Sequence, residues 1–199
     1  MGVYYTEIIH PSILSNISVE GGHMNSTFFL LSGKPRIGKS TLIKQIIHEI
    51  GVDRCGGFYT EEVTNFDDRI GFRCVSMDGE SVDIANVESC SATRVGRYGV
   101  NVEEFDLFAK DILQGALRTK DIIVIDEIGY MQMFSHSFKK NVQDIFSGNK
   151  VVLGTIPLNR HPEMNIINNL KEANIITVDE LSRDKIAEWL VREVLNVID

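Results

Sequence analysis

Short apolar runs alternate with segments of helical periodicity along most of the chain. Four runs are bounded by turn residues and are too short for helices, so they predict buried strands over 27–32, 122–125, 151–155 and 175–178. Apolar residues at helical spacing predict helices over 40–50, 102–117, 134–146, 163–172 and 182–197. This alternation predicts an α/β fold with a mainly parallel central sheet.

The middle of the chain follows another pattern. Residues typical of strands, separated by turn signals such as Asp78-Gly79, predict short strands over 57–63, 70–77 and 81–84. We therefore expect an antiparallel hairpin insertion within 57–84, at the edge of the parallel sheet. The stretch 86–98 follows neither period, and we expect irregular structure there.

The first 23 residues differ from the rest of the chain. Their apolar residues are scattered, and Gly21-Gly22-His23-Met24 resembles a cloning junction. We expect residues 1–23 to be a non-native or fusion-derived arm, and a native arm packed on the domain stays open as the alternative. The length of the rest predicts a single domain over 24–199.

Net charge limits the kinds of binding partner that we expect, and the cysteine content bears on the cellular compartment. The chain carries 20 Lys and Arg against 28 Asp and Glu, a net charge of −8. This balance argues against a nucleic-acid partner or an anionic membrane, although a local basic pocket stays open. Three cysteines lack metal-site spacing, and no apolar run reaches the ~20 residues of a membrane span. We expect a cytoplasmic protein. A monomer is favoured, and the sequence leaves the oligomeric state open.

Residues 33–40 match the phosphate-loop pattern G-x-x-x-x-G-K-[ST]. The glycines let backbone N–H groups point at phosphate oxygens, and the positive end of the following helix adds to the anion site. From this pattern we expect Lys39 to place a charge on the β- and γ-phosphates, Ser40 to ligate Mg²⁺, and Thr41 to reach the α-phosphate. Lys34 and Arg36 are alternatively solvated loop charges. The predicted nucleotide-binding residues are Gly33, Lys34, Pro35, Arg36, Ile37, Gly38, Lys39, Ser40 and Thr41.

Two acids end the apolar run at 122–125. A buried strand brings its last residues to the carboxyl edge of the sheet, where ligands bind in open α/β folds. Asp126 therefore fits the acid that holds Mg²⁺, and Glu127 fits the base that polarises the attacking water. The alternative is a strand that simply ends in solvated acids.

Weaker candidates surround these two motifs. Arg97 lies in a loop flanked by Gly96 and Gly99 and is a candidate arginine finger, the alternative being a surface arginine. Glu61 and Glu62 are interpreted as solvated charges. The histidines show no metal-ligand spacing.

The order of several phrases resembles the cancer-related nucleoside-triphosphatase family. The resemblance covers about residues 26–198 and rests on GKPRIGKST, GGFYTEEV, GRYGVNVEEF, IIVIDEIGYMQMFS and VVLGTIP. It implies a RecA-like or kinase-like P-loop fold with three layers and Mg²⁺-dependent hydrolysis of ATP, GTP and other nucleoside triphosphates, slowly and with broad base selectivity. It assigns phosphate and Mg²⁺ contacts to residues 38–41, the metal and base roles to Asp126 and Glu127, and only a place near the nucleotide to Arg97 and Tyr98.

The chain departs from the family pattern at three places that concern the expected site. Tyr130 and Gln132 stand where the family usually has Lys and Glu, and Thr64 stands where it often has Arg. These changes remove three charges, which bears on rate and substrate choice. Ser182 precedes Arg183 where the family usually has Asn, which bears on a contact to the base.

Two alternatives to hydrolysis use the same motifs. A kinase acting on a nucleoside, a nucleotide or a polynucleotide end would replace the attacking water by a hydroxyl. A nucleotide-dependent binding switch would bind triphosphate, hydrolyse it very slowly and change its affinity for a partner.

Overall fold

A ten-stranded mixed sheet organises the computed structural model, which describes residues 18–20, 27–158 and 173–198. The strands are β1 (Val19–Glu20), β2 (Phe28–Gly33), β3 (Cys55–Asn65), β4 (Asp68–Ser76), β5 (Ser81–Asn86), β6 (Arg94–Val95), β7 (Tyr98–Val100), β8 (Ile122–Asp126), β9 (Val151–Pro157) and β10 (Asn174–Thr177). The helices are α1 (Lys39–Ile50), α2 (Val102–Thr119), α3 (His136–Phe146) and α4 (Arg183–Ile198).

Five parallel strands form the centre of the sheet in the order β10-β2-β9-β8-β3. Strands β4, β5, β7 and β6 continue it antiparallel beyond β3. The predicted parallel sheet with an antiparallel insertion is thereby confirmed. Strand β9 separates β2 from β8.

Helices cover both faces of the parallel centre and complete the predicted three layers. Alternate residues of β2 point to opposite faces, so Phe29 and Leu31 pack with α1 and α4, whereas Phe28 and Leu30 pack with α2 and α3. All six residues of β2 are buried, as are all five of β8. Burial on both faces explains why these strands are uninterrupted apolar runs.

The stretch 86–98 corrects one expectation. It was expected to be irregular, but β6 lies within it and β7 begins at its end, and the two pair antiparallel. The helix predicted over 134–146 begins at His136, after a 3-10 turn over Gln132–Phe134. The helix predicted over 163–172 lies outside the described residues.

The predicted N-terminal arm is described only at residues 18–20. Strand β1 pairs antiparallel with β10 at the sheet edge, and the Thr177 N–H donates to the Ser18 carbonyl at 3.0 Å. This end of the arm therefore packs on the domain, and the origin of the arm stays a prediction. Within the part of the chain that the structure describes, no helix is long and apolar enough to cross a membrane.

Asp106 on α2 holds the first turn of α3. Its carboxylate accepts from the Ser135 hydroxyl at 2.6 Å, and from the Ser137 N–H at 2.8 Å and hydroxyl at 2.6 Å. Partial burial raises the pKa of Asp106, but these hydrogen bonds outweigh it and the net direction is downward. Because the folded-state pKa is lowered, the stability contributed by Asp106 is present above the unfolded-state pKa and is lost as pH falls through the folded-state value.

We expect Asp106→Asn to lower the free energy of unfolding by about 1–2 kcal/mol at neutral pH, because the amide accepts fewer hydrogen bonds than the carboxylate. The deficit should shrink in acid, where the wild-type carboxyl is protonated. Urea unfolding at neutral pH and in acid measures this deficit in the free energy of unfolding. Asp111→Asn, a change at an exposed position on the same helix, is the control. An equal deficit at both pH values would contradict the assignment.

Candidate active site

The phosphate loop joins β2 to α1 at the carboxyl edge of the sheet. Gly38, immediately before α1, has φ 99°, a left-handed conformation that glycine adopts without strain. Since a glycine precedes the helix, no side chain of the capping residue competes for its first N–H groups. Gly33 also needs its small size, because a Cβ there would lie 2.8 Å from the Val178 carbonyl oxygen. The backbone of the loop is therefore suited to approach an anion closely.

Two cations border this loop. The Lys39 ammonium folds back over it and donates to the carbonyl oxygens of Gly33 at 3.2 Å and Lys34 at 3.4 Å. Arg183, at the start of α4, lies against Gly38, where a Cβ would be 3.3 Å from Nη1. Ser182, which departs from the family pattern, directly precedes Arg183 and is therefore adjacent to the phosphate loop.

Asp126 ends β8 and is 2% exposed. The Thr155 hydroxyl on β9 donates to its Oδ1, and the Thr60 hydroxyl on β3 donates to its backbone carbonyl at 2.6 Å. Both neighbouring strands therefore fix this residue. Its Oδ2 is buried without a hydrogen-bond partner among the described residues.

The environment of Asp126 connects the acid strand to the phosphate loop. Burial raises the pKa of the Asp126 carboxyl, while the Thr155 and Ser40 hydroxyls and the Lys39 ammonium lower it, and the net direction is upward. Ser40 and Lys39 act on this carboxyl because the loop faces the end of β8. The structure thus brings together the two motifs that the sequence predicts to form one site.

Glu127 follows directly and is partly buried. Its C-terminal neighbour is held to β9, since the Ile128 N–H donates to the Thr155 carbonyl at 2.9 Å. Burial raises the pKa of the Glu127 carboxyl, Asp126 raises it further, and Lys39 lowers it, with a net upward direction. This carboxylate is therefore easier to protonate than an exposed glutamate.

Arg97 belongs to a group that we call the arginine cluster: Arg36, Glu62, Arg69, Tyr98 and Arg97. Glu62 accepts from Arg36 of the phosphate loop at 3.3 Å and from Arg69 at 2.5 Å. Arg69 also donates to the Tyr98 hydroxyl at 3.0 Å. Arg97 donates to the Arg69 carbonyl and lies 5.3 Å from the centre of the Tyr98 ring. Arg97 is thus linked to the loop through Arg69 and Glu62.

Sequence reasoning missed part of this surrounding. Glu62 was interpreted as a solvated charge but pairs with two arginines, and Glu61 pairs with Lys44 of α1 at 2.8 Å. Arg69 and Thr60 were not singled out. The sequence predicts the hairpin of β3 and β4 but not its register, and it carries no local signal for the pairing of β3 with β8.

A phosphate loop between a central strand and a helix, facing an acid pair at the end of another strand, defines the P-loop class of nucleotide-binding domain. A family model described as NTPase matches residues 28–191. The chain therefore belongs to the NTPase family, and it is an enzyme that hydrolyses nucleoside triphosphates. This finding confirms the family that the sequence resembles.

Individual relatives match along nearly their full length. The nucleoside-triphosphatase THEP1 of Thermotoga maritima is 36% identical over 169 residues, covering 85% of this chain and 94% of the relative. The crystal structure of THEP1 from Aquifex aeolicus superposes with a TM-score of 0.74 at 37% identity, covering 82% of this chain and 95% of that one. The solution structure of a human cancer-related nucleoside triphosphatase superposes with a TM-score of 0.72 at 31% identity, covering 85% of this chain and 97% of that one.

Proposed function

We propose that the chain hydrolyses the β–γ phosphoanhydride bond of nucleoside triphosphates in a Mg²⁺-dependent, slow reaction that accepts ATP, GTP and other bases. The observation that carries the proposal is that the phosphate loop after β2 and the buried Asp126 at the end of β8 lie at the same carboxyl edge of the parallel sheet. The influence of Ser40 and Lys39 on the pKa of Asp126 agrees with this placement. Phosphates are common to all these substrates, so a site built on the phosphate loop supports broad base selectivity.

The residues present fit a magnesium ion. Asp126 has a buried carboxylate oxygen without a hydrogen-bond partner in the described residues, and Ser40 adds a hydroxyl oxygen. Hard oxygen ligands of this kind suit Mg²⁺, which usually keeps waters and binds substrate phosphates besides one or two protein groups. No cluster of three or more acidic, histidine or cysteine ligands occurs within the described ranges, which agrees with such sharing. We propose Ser40 and Asp126 as the protein ligands, and the bound ion would offset phosphate charge.

Residues of the chain itself have three separate roles in the proposed reaction. Backbone N–H groups of residues 33–41 bind the phosphates, and Lys39 supplies positive charge to the β- and γ-phosphates. Glu127 accepts a proton from the attacking water, whose oxygen bonds to the γ-phosphorus as the bond to the bridging oxygen breaks. Partial burial supports this role, because a raised pKa makes the Glu127 carboxylate a stronger base near neutral pH.

The proposal is tested by phosphate release from ATP, GTP, CTP and UTP, with Mg²⁺ or with EDTA. We expect kcat below about 1 s⁻¹, kcat/KM values within about tenfold of one another, and loss of release in EDTA. Release from a single nucleotide would overturn the broad selectivity, and EDTA-resistant release would overturn the metal requirement. Formation of nucleoside diphosphate only on addition of a hydroxyl acceptor, without release of inorganic phosphate, would indicate a phosphotransferase.

We also propose a cytoplasmic location. All three cysteines are free thiols, and burial raises the pKa of Cys55 to about 11 and of Cys74 to about 12. The two buried thiols are unreactive packing residues, and the absence of a disulfide among the three cysteines suits a reducing compartment.

Arg97 remains our candidate for the arginine that stabilises charge on the γ-phosphate. The arginine cluster holds three guanidinium groups against one carboxylate and reaches the loop through Arg36. We expect Arg97→Ala to lower kcat by about 10²-fold with little change in nucleotide affinity, measured by steady-state kinetics and analogue binding. Arg118→Ala, an exposed change on α2, is the control. An unchanged kcat would remove Arg97 from the mechanism.

A further inference from the structure

Two side chains end in the space beside Gly129. A Cβ at this position would lie 2.6 Å from Oε1 of Glu127 and 2.7 Å from Oε1 of Gln132. The φ angle of Gly129 lies outside the left-handed region, so the backbone conformation alone does not require glycine. A larger residue here would instead displace the ends of both side chains.

Gln132 is held firmly in this place. It is 3% exposed and begins the 3-10 turn Gln132–Phe134. The Met133 N–H donates to the Gly129 carbonyl at 3.1 Å, and the Ser135 N–H donates to the Gln132 carbonyl at 3.1 Å. The turn that carries Gln132 is therefore tied at one end to Gly129 and at the other to the start of α3.

The chemistry of the two groups is complementary. An ionised carboxylate only accepts hydrogen bonds, whereas an amide both donates and accepts and stays neutral at every working pH. Because both oxygens lie within 2.7 Å of the same point, they are no more than about 5.3 Å apart, a separation that one water molecule lying clear of the backbone bridges with a hydrogen bond to each group. A methionine would fill the same volume but would make no comparable hydrogen bond.

We infer that Gln132 is a positioning residue, which orients the Glu127 carboxylate and the attacking water towards the γ-phosphate. The inference rests on the proposed function, in which Glu127 is the base. Glutamine serves a water-orienting role in other nucleotide hydrolases, where little of the barrier is covalent chemistry and geometry decides the rate. Gly129 then acts with Gln132, because its missing side chain leaves the space in which the two groups meet.

The test replaces Gln132 by methionine, with Gln143→Met on the exposed face of α3 as the matched control. We expect Gln132→Met to lower kcat by at least about tenfold, while KM and the affinity for a non-hydrolysable triphosphate stay within about twofold. Gly129→Ala should lower kcat in the same way, because its Cβ displaces both groups without altering either. Equal losses of kcat and nucleotide affinity would indicate a purely structural role and overturn the inference, as would an unchanged kcat in both variants.

A double-mutant cycle separates this inference from the proposed function. If Gln132 acts through Glu127, Gln132→Met should cause no further loss in a Glu127→Gln background. Independent, multiplying losses in the double variant would overturn the coupling while leaving Glu127 as the base. Full activity of Glu127→Gln alone would instead reject the proposed base, and with it the positioning role.

Discussion

Glu127→Gln is expected to lower kcat by about 10²-fold or more and to leave nucleotide affinity within about twofold. The amide has the shape of the carboxylate and fits the same space beside Gly129, but it cannot take the proton of the attacking water. The loss therefore falls on the chemical step. Single-turnover phosphate release and binding of a non-hydrolysable triphosphate measure the two effects separately.

Glu104→Gln is the matched control for this change, because Glu104 is an exposed glutamate on α2. We expect the control to keep wild-type kinetics. A Glu127→Gln enzyme with near-normal kcat would show that another group takes the proton, and the base would have to be sought elsewhere in the site.

Lys39→Ala is expected to weaken triphosphate binding by at least about 30-fold, or roughly 2 kcal/mol, and to lower kcat by about 10²-fold as well. The Lys39 ammonium lies over the phosphate loop, and it favours the charged forms of Asp126 and Glu127. Its removal takes away the charge that would meet the phosphates. Titration with a fluorescent triphosphate analogue measures the affinity.

Two further variants serve as controls for Lys39→Ala. Lys110→Ala removes an exposed lysine of α2 and should bind nucleotide as the wild type does. Lys39→Arg keeps the positive charge but replaces a compact ammonium by a planar guanidinium, so we expect partial recovery of binding and little recovery of kcat. Unchanged affinity in Lys39→Ala would contradict the phosphate-loop assignment.

The parts predicted correctly from sequence are those in which neighbouring residues act together. The phosphate loop is a continuous segment, and the acid pair directly follows a buried strand, so each motif is visible in a few residues. Their convergence also follows from sequence, because parallel strands bring their carboxyl ends to one edge of a sheet.

The parts that could not be predicted depend on contacts between distant segments. The hairpin that brings Glu62 to Arg69 is predicted, but the contact of Glu62 with Arg36 of the phosphate loop joins segments that are far apart in the chain. Strands β6 and β7 are two and three residues long, too short to show a period. The place of Gln132 beside Glu127 depends on the 3-10 turn that follows Gly129, and no motif announces that turn.

Strand β9 carries neither motif, yet it sets the width of the site. It lies between the strand that leads into the phosphate loop and the strand that ends in Asp126. Strands β2 and β8 are therefore two strand spacings apart, or about 10 Å. This distance leaves room for a phosphate chain and a hydrated cation between the phosphate loop and the acids. Direct pairing of β2 with β8 would halve that gap. Strand β9 therefore sets the distance between the phosphate loop and the acid strand, and its Thr155 hydroxyl holds the Asp126 carboxylate in place at that distance.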